Sequence, residues 1–336
     1  MSRRELLGML LGAAALIAAL RLADRCSPAA ECRSWSFPVM GTVARFSFYA
    51  SEAEAERAGA AARAAFDRVA AACNRHDPAS ELARLNREAS RRPFVCGEVL
   101  WAVLQHARRA HRLSGGAFDV TVDPLMRCWG FYRKHGGEPP DENAIAAARR
   151  LVGLELVRFD DARHSVFFTR PGMAIDLGGI AKGFAADLAA AAAVRCGVRR
   201  GVIDLGGNLR FLPEPPPGAP GYTVVIRRPD ASGGTAEGSF LVPPGSAVST
   251  SGSYERYILY RGKRMGHLID PATGHPGERR GSVTACAPDA VTADWLSSAV
   301  FLRGGALAAE LRRKLPGTEF RFTAPDGRTS GADGAF

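Results

Sequence analysis

The chain has 336 residues, of which 46% are hydrophobic and 23% charged, so it is long enough to bury a full core. Its formal net charge is +10, but the arginines are scattered, with no run of four and no interleaved aromatic stripe. This pattern argues against a nucleic-acid groove and leaves room for a basic face that meets an anionic substrate. The seven cysteines are widely spread without a CxxC pair, which fits neither a zinc site nor a dense disulfide framework.

The N-terminal segment has the composition of an export signal. Arg3 and Arg4 precede an uncharged apolar run over residues 6–20, and charge resumes at Arg21. This run is short for a membrane span and typical of the h-region of a signal peptide. The Ser-Arg-Arg-x-Leu-Leu order also resembles a twin-arginine signal. We therefore expect residues 1–33 to be an export signal or a retained membrane anchor, and the protein to act on the periplasmic side of the inner membrane.

Helices dominate the predicted structure of the first half. Residues 35–49 are predicted to form a strand that enters the core and is interrupted at Met40. Residues 117–125 are predicted as a short strand-like run. Helices are predicted where apolar residues recur on one face or a capping residue opens the segment, at residues 51–73, 98–113 and 141–151.

Strands and hairpins dominate the predicted structure of the second half. Residues 173–177 are predicted as a strand that leads into a helix over residues 180–196. Because strands and helices alternate only there, we predict an α+β fold with a largely antiparallel sheet packed with helices. One domain is expected over residues 34–320, followed by a frayed polar tail over residues 321–336. The other strands are predicted at residues 154–159, 165–169, 222–227, 239–242, 247–250, 254–260, 264–268 and 282–286.

The stretch AIDLGGIAKGFAAD at residues 174–187 has the character of a phosphate and cation site. An apolar run ends at Asp176, two glycines follow, and Lys182 lies near the start of the predicted helix. An acid, a turn without side chains and free amides at a helix N-terminus suit a phosphate and its cation. The alternative is a plain turn that uses glycine for a sharp bend. Asp-Leu-Gly-Gly recurs at residues 204–207, so both turns are expected to meet one ligand, unless the repeat is a structural echo.

Three further side chains indicate metal and proton chemistry. Asp294 and Ser298 are four positions apart on a predicted helix, so both point to one side. Their hard oxygens suit Mg²⁺ better than zinc, and a capping or surface pair is the alternative. His267 precedes an apolar pair and an Asp-Pro-x-Thr-Gly turn, where an imidazole would stand at the rim of a rigid loop. A structural histidine is the alternative there.

Two other patterns narrow the kind of site. Asp119 and Asp176 are both flanked by apolar residues, so each needs a cation, a backbone amide or a ligand donor if it is buried. No GxGxxG and no GxxxxGK[ST] occurs, which argues against a Rossmann or P-loop nucleotide site.

The order of the motifs resembles that of ApbE-type FAD:protein FMN transferases. The resemblance covers about residues 37–315 and rests on the following segments: residues 40–42, 80–86, 115–125 with 129–130, 176–183, 206–208, 250–252, 267–274 and 293–294.

The resemblance implies FAD as substrate, Mg²⁺ as cofactor, and transfer of FMN through a phosphoester bond to a Thr or Ser of an acceptor protein, with release of AMP. It implies an acceptor with an Asp-x-x-Ser/Thr-Gly-Ala-Ser/Thr type sequence in a membrane redox complex. The scattered arginines, by themselves, predict no nucleic-acid partner. Metal binding is implied for Asp294, Ser298 and the carbonyl of Gly179, and the catalytic role for His267. FAD contacts are implied for Met40, His76, Ala117, Phe118, Asp119, Asp176, Lys182 and Ile269.

Two positions depart from the family's pattern. Ser298 stands where the family usually has Thr, so it keeps the hydroxyl and loses the methyl group that fixes the rotamer. His76 stands where relatives often have Tyr, and because its ring stacks with less area, the expected effect is on FAD affinity. Two other functions remain open on the sequence: an FAD pyrophosphatase that gives free FMN and AMP, and an exported flavin-binding protein without turnover.

Overall fold

The computed structural model describes residues 31–132, 140–227, 239–253, 257–260 and 263–331. The predicted export signal therefore lies outside the described residues, except for its last three positions. No helix within the described ranges is long and apolar enough to cross a membrane.

Fifteen strands are present in the described part of the chain. In chain order they are β1 (Cys32–Val39), β2 (Thr42–Tyr49), β3 (Phe94–Val95), β4 (Val157–Asp160), β5 (Ser165–Phe168), β6 (Gly201–Leu205), β7 (Asn208–Phe211), β8 (Tyr222–Val225), β9 (Ser239–Val242), β10 (Ala247–Gly252), β11 (Tyr257–Tyr260), β12 (Lys263–Gly266), β13 (Ser282–Ala287), β14 (Glu319–Thr323) and β15 (Thr329–Ser330).

Eight α-helices are described in the same ranges. They are α1 (Glu52–Cys73), α2 (Glu81–Glu88), α3 (Glu98–Leu113), α4 (Asp123–Cys128), α5 (Glu142–Arg149), α6 (Ala181–Arg195), α7 (Ala290–Arg303) and α8 (Gly305–Lys314). Short 3₁₀ turns lie at Val120–Val122 and Leu154–Leu156.

The central element is an eight-stranded sheet in the order β1-β2-β6-β7-β10-β13-β14-β15. Every neighbouring pair in it is antiparallel. The prediction of an α+β fold with a largely antiparallel sheet is therefore confirmed.

Helices α1, α6 and α7 cover one face of this sheet and form the main core with it. Alanines fill most of α6, which lets it pack closely against α1 and α7. A Cβ at Gly183 would lie 2.2 Å from the carbonyl oxygen of Ala290, so this helix contact requires glycine. A second, smaller core lies between β6, β7, β10 and β13 and the β8–β9 hairpin. The sheet is thus buried on both faces, and the close α6–α7 contact places the motif at residues 176–183 beside α7.

Residues 35–49 form two strands where a single interrupted strand was predicted. Met40 and Gly41 have φ angles of 50° and 71°, so the chain reverses there and β1 pairs with β2 as a hairpin. One long strand and a two-stranded hairpin have the same alternation of apolar residues, so the sequence pattern does not distinguish them. The left-handed backbone at Met40 and Gly41 decides for the hairpin.

Residues 117–125 are not strand-like, in contrast to the prediction. Asp119 caps a 3₁₀ turn, and α4 follows with Pro124 in its first turn, where the missing N–H of proline has no cost. Residues 173–177 do not form a strand either; they run between elements, and the Asp176 N–H donates to the Val120 carbonyl at 2.8 Å. Both segments are apolar because they are buried, and burial alone does not specify strand pairing.

The C-terminal segment extends further into the fold than the predicted tail allows. β14 pairs with β13 in the main sheet, and β15 pairs with β14. The expected boundary at residue 320 therefore falls inside β14. The fraying predicted for residues 321–336 is also wrong for residues 329–330, because their pairing with β14 satisfies backbone groups of this segment. Residues 332–336 of the predicted tail lie outside the described residues.

Candidate active site

Three segments that are distant in sequence meet at Gly179. A Cβ at this position would lie 3.1 Å from Cε2 of Phe118 and 3.9 Å from Oγ of Ser298. Phe118 is buried and its ring packs at 6.3 Å, centroid to centroid, against Trp295 on α7. The turn before α6, the segment at residues 117–119 and α7 therefore share one site, as the motifs predicted.

Asp294 is the buried acid of this site, with 4% of its surface exposed. Its Oδ2 accepts the N–H of Gly183 at 3.0 Å, and its Oδ1 accepts no hydrogen bond from the described residues. Burial raises the pKa of Asp294, and the charge of nearby Lys182 opposes this shift. A buried carboxylate with one oxygen lacking a donor is suited to a cation.

The hydrogen bond from Gly183 also determines whether the Gly179 carbonyl accepts a backbone hydrogen bond. In a regular helix the Gly183 N–H would donate to the carbonyl four residues earlier, which is that of Gly179. Here it donates to Asp294 instead, and no backbone N–H of the described residues donates to the Gly179 carbonyl. One amide thus fixes the carboxylate and leaves the carbonyl oxygen available.

The donor set is suited to a hard divalent cation. A carboxylate oxygen of Asp294, the hydroxyl of Ser298 and the carbonyl of Gly179 are oxygen donors of the kind that Mg²⁺ prefers, and water or substrate phosphates complete such sites. The described residues contain no cluster of three or more His, Cys, Asp or Glu that would hold a metal, so the backbone and hydroxyl oxygens carry part of this site. The residues therefore fit the ion that the resemblance implies.

Serine side chains beneath α7 orient the hydroxyl of Ser298. Oγ of Ser251 on β10 lies 3.0 Å from Oγ of Ser298 and 2.8 Å from Oγ of Ser297. Ser297 donates to the Asp294 carbonyl at 2.9 Å, and Ser249 donates to the side-chain oxygen of Asn208 at 2.8 Å. In a threonine, the methyl group would restrict the side-chain rotamer. In Ser298, the hydrogen bond with Ser251 orients the hydroxyl instead.

The second Asp-Leu-Gly-Gly turn, at residues 204–207, is built differently from the first. It closes the β6–β7 hairpin, whereas the first precedes a helix. Gly206 donates its N–H to the Val43 carbonyl at 3.2 Å, and a Cβ there would lie 2.4 Å from Oγ1 of Thr42. The turn thus abuts the hairpin that carries Met40, which is half-buried and packs on the core.

The prediction of free amides at the N-terminus of α6 holds for only some of the N–H groups there. The N–H groups of Ile180 and Ala181 donate to the Leu177 carbonyl, that of Gly178 donates to Asp176, and that of Gly183 donates to Asp294. These four amides are already used by the protein, whereas the N–H groups of Gly179 and Lys182 donate to no acceptor among the described residues. Since no ion pair or hydrogen bond joins the Lys182 ammonium to the described residues, it is available to an anion.

Asp176 belongs to a second cluster, centred on Tyr132. The Tyr132 hydroxyl donates to Oδ2 of Asp176 at 2.5 Å, and the His76 ring packs edge-on against Tyr132 at 5.4 Å. Burial and the Asp176 carboxylate both raise the pKa of Tyr132, which keeps its hydroxyl protonated as a donor. His76 is exposed, and its contact with Tyr132 places it beside the Asp176 cluster.

Asp119 serves the local structure. Its Oδ1 accepts the N–H and the hydroxyl of Thr121, and its Oδ2 accepts the N–H of Leu154 at 3.1 Å. Oδ2 also lies 3.3 Å from Nδ1 of His111, and this carboxylate raises the pKa of that histidine. Of the three kinds of partner expected for these acids (a cation, a backbone amide or a ligand donor), Asp119 and Asp176 both have backbone amides. Contacts of Asp119 or of the buried Ala117 with FAD stay a prediction.

His267 and Ile269 lie on a loop that is anchored to several helices. His267 follows β12 and is half-buried, and Ile269 is buried with Leu125 and Trp129. The loop is held by the Trp129 indole, which donates to the Gly274 carbonyl at 2.8 Å, and by an ion pair of 2.9 Å between Arg303 of α7 and Asp270. His267 therefore lies on an anchored loop, and its position at the rim of the site and the role of its imidazole stay predictions.

Sequence reasoning missed three residues of this region. Tyr132 follows the Trp-Gly-Phe motif, and its polar-tipped ring was a usable signal. Asp123 stands between apolar residues, which is the same pattern that drew attention to Asp119. Asp187 on α6 offered no such signal, because an acid on a helix is normally exposed to solvent.

The ApbE family pattern matches residues 40–322. The chain belongs to the ApbE family. It is 33% identical over 333 residues to an FAD:protein FMN transferase of Treponema pallidum (strain Nichols), with 92% of this chain and 90% of the relative covered. It is 32% identical over 311 residues to one of Klebsiella pneumoniae (strain 342), with 91% and 88% covered.

Solved structures of ApbE proteins share the fold. The ApbE protein of Thermotoga maritima aligns with a TM-score of 0.79 at 28% identity, over 90% of this chain and 97% of that chain. The flavin transferase ApbE of Vibrio cholerae aligns with a TM-score of 0.77 at 27% identity, with the same coverage. The family resemblance found in the motifs is therefore confirmed.

Proposed function

We propose that this enzyme transfers FMN from FAD to an acceptor protein. The observation that carries the proposal is the meeting of Gly179, Asp294 and Ser298, with Lys182 beside Asp294, in a chain of the ApbE family. Relatives that it matches over nine tenths of its length are named FAD:protein FMN transferases. An assembled set of cation ligands favours turnover over simple flavin binding.

The cation proposed here is Mg²⁺, held by the carboxylate of Asp294, the hydroxyl of Ser298 and the carbonyl of Gly179. When bound, it would neutralise charge on the pyrophosphate of FAD and polarise the phosphorus that is attacked. Lys182 supplies a second positive charge for the phosphate oxygens of the leaving AMP. Asp176, held by Tyr132 and Gly178, is proposed to address FAD from the other side of the turn.

The proposed reaction joins the acceptor's hydroxyl oxygen to the phosphorus of the FMN half. The new phosphoester bond forms as the bond to the AMP oxygen breaks, so AMP leaves with the electron pair. The hydroxyl proton passes to the imidazole of His267, which acts as general base.

The expected acceptor has a Thr or Ser in an Asp-x-x-Ser/Thr-Gly-Ala-Ser/Thr type sequence and belongs to a membrane redox complex. Export of this enzyme by its N-terminal segment, residues 1–33, would place it on the periplasmic side, where such an acceptor faces it.

The direct test is an acceptor peptide incubated with the enzyme, FAD and Mg²⁺ and followed by mass spectrometry. We expect the peptide to gain the mass of FMN less water, with one AMP released per modified peptide. AMP and free FMN without a mass gain would identify an FAD pyrophosphatase instead. If FAD binds but neither product forms, the protein is a flavin-binding protein without turnover.

The same assay tests the base. His267→Ala is expected to leave FAD binding nearly intact and to lower the transfer rate by about 10²–10⁴-fold, the usual contribution of general-base assistance. His275→Ala, on the same loop, controls for disturbance of the loop. Transfer by His267→Ala at the wild-type rate would show that the base is elsewhere.

A further inference from the structure

A cavity of about 600 Å³ lies apart from the cation ligands, between α2, the turn before it, α4 and the segment at residues 171–174. Arginines dominate its charge: Arg75, Arg87, Arg91 and Arg127 all line it. Among the described residues that line it, the only carboxylate is that of Asp123. Four guanidinium groups around one carboxylate leave a strong excess of positive charge facing the cavity.

Asp123 fixes two of these arginines in place. Its Oδ1 lies 2.6 Å from the guanidinium of Arg75, and its Oδ2 lies 2.8 Å from Nε of Arg127. The Asp123 side chain is fully buried, whereas that of Arg75 keeps 18% and that of Arg127 keeps 51% of its surface exposed. The carboxylate therefore lies behind the two arginines and orients them, and it does not close the cavity as a counterion in front of them.

The remaining donors of the cavity are incompletely used by the protein. The Arg91 side chain makes no ion pair or hydrogen bond with the described residues, and that of Arg87 donates only to the Pro78 carbonyl, at 3.1 Å. Nε of Arg75 is buried and has no hydrogen-bond partner within the described ranges. A buried donor without a partner is rare in folded proteins and calls for a water, an ion or a ligand.

Tyr132 separates this cavity from the Asp176 motif. The guanidinium of Arg75 stacks on the Tyr132 ring at 3.6 Å, and the hydroxyl of the same ring donates to Asp176. His76 is the one lining residue that the resemblance assigns to FAD. The cavity is thus a neighbour of the proposed flavin site, and it has its own cationic lining.

We propose that the arginine cavity binds the anionic group, phosphate or carboxylate, of a second ligand besides FAD. Planar guanidiniums that are fixed in advance match the paired oxygens of both groups. Such a group has two sources: a free small anion, or an acidic side chain of a protein bound at the enzyme surface. The proposal does not depend on the flavin reaction.

The test is a calorimetric titration of inorganic phosphate into full-length, metal-free protein saturated with FAD. The double variant Arg87→Gln/Arg91→Gln removes two cavity charges. The matched variant Arg84→Gln/Arg92→Gln removes two arginines of the same region that do not line the cavity. We expect the first variant to weaken phosphate binding by at least about tenfold, because it loses charge-assisted hydrogen bonds, and the second to keep binding within about twofold.

A second arm of the test distinguishes the sources of the anion. A Glu-rich peptide that displaces phosphate, when its Gln counterpart does not, assigns the site to an acidic side chain of a protein. Phosphate binding that neither peptide affects assigns it to a free anion. The proposal is overturned if the wild type binds neither probe, if both double variants lose binding equally, or if FAD displaces the phosphate.

Discussion

The N–H of Gly183 on α6 donates to the carboxylate of Asp294 on α7 and so joins two elements of the site. By donating to Asp294, it orients a carboxylate on α7 and frees the carbonyl of Gly179 on the neighbouring element. Glycine at 183 also lets α6 approach the Ala290 carbonyl closely enough for this bond to form. Two of the three proposed cation ligands therefore depend on one backbone amide.

At the residue scale, we predict that Asp294→Asn separates cation binding from folding. The amide oxygen still accepts the Gly183 N–H, and loss of the buried charge removes a desolvation cost, so the melting temperature should stay equal or rise. Mg²⁺ affinity, measured by calorimetry, should fall by at least about 100-fold, and Mg²⁺-dependent transfer should fall with it.

Asp289→Asn is the matched control for this change. Asp289 caps α7 by accepting the Thr292 N–H, and Asn is an equally good cap, so the variant removes the same charge without touching a proposed ligand. If Asp294→Asn bound Mg²⁺ as the wild type does, Asp294 would not be a ligand.

At the scale of elements, Asp187 joins α6, α7 and β7. Its two carboxylate oxygens accept the N–H groups of Ala290 and Val291, at 2.9 and 2.8 Å, in the first turn of α7. Nε of Arg210 lies 2.8 Å from Oδ1 of Asp187. Burial raises the pKa of Asp187 to about 6, so the carboxylate is charged at neutral pH and stabilises the helix N-terminus.

We predict that Asp187→Asn loosens α7 relative to α6. An amide offers one acceptor where the carboxylate offers two, so one N–H of α7 is left unpaired and the free energy of unfolding should fall by about 1–3 kcal/mol. Because α7 carries Asp294 and Ser298, Mg²⁺ affinity at pH 7.5 should fall by about tenfold. Lower stability with unchanged Mg²⁺ affinity would show that the hydrogen bonds from α7 to Asp187 contribute to folding and not to the position of the cation ligands.

At the scale of the whole molecule, the sheet is covered on both faces by the two cores. An acid on a central strand of this sheet therefore carries a desolvation cost when it is charged. Asp204 lies on β6, and its carboxylate accepts the Gly207 N–H at 2.8 Å. Burial raises its pKa to about 6, above the ordinary value of 3.8. The folded state therefore holds this proton more tightly than the unfolded state, and the contribution of Asp204 to stability falls as the pH rises from about 4 to about 6.

We predict that Asp204→Asn stabilises the protein at pH 7.5 more than at pH 4.5. The amide keeps an acceptor for Gly207 and carries no charge to desolvate, so the gain in free energy of unfolding should differ between the two pH values by about 1–2 kcal/mol. Urea unfolding at both pH values measures it. Glu56→Gln removes an equal charge from an exposed position, so it separates the effect of burial from that of net charge. If Asp204→Asn raised the free energy of unfolding equally at both pH values, the raised pKa of Asp204 would be contradicted.

The sequence by itself determined the features that are encoded within a few residues. The helix predicted to open with a capping residue at position 51 does so: Ser51 is the N-cap of α1, and its N–H donates to Glu54 at 3.1 Å. The spacing of Asp294 and Ser298 placed both on one side of α7, and the ordered motifs identified the family. Helical periodicity, caps and motif order are local, so they survive without knowledge of the packing.

Only the tertiary structure decided which groups meet and which donors are used. Gly183 and Asp294 are 111 residues apart, and Tyr132 and Asp176 are 44 apart, so neither contact leaves a local pattern. The apolar stretches at residues 117–125 and 173–177 also looked like strands, because a buried connection and a buried strand share the same composition. Pairing, burial and the choice among competing acceptors depend on what packs alongside, and that is settled only when the chain has folded.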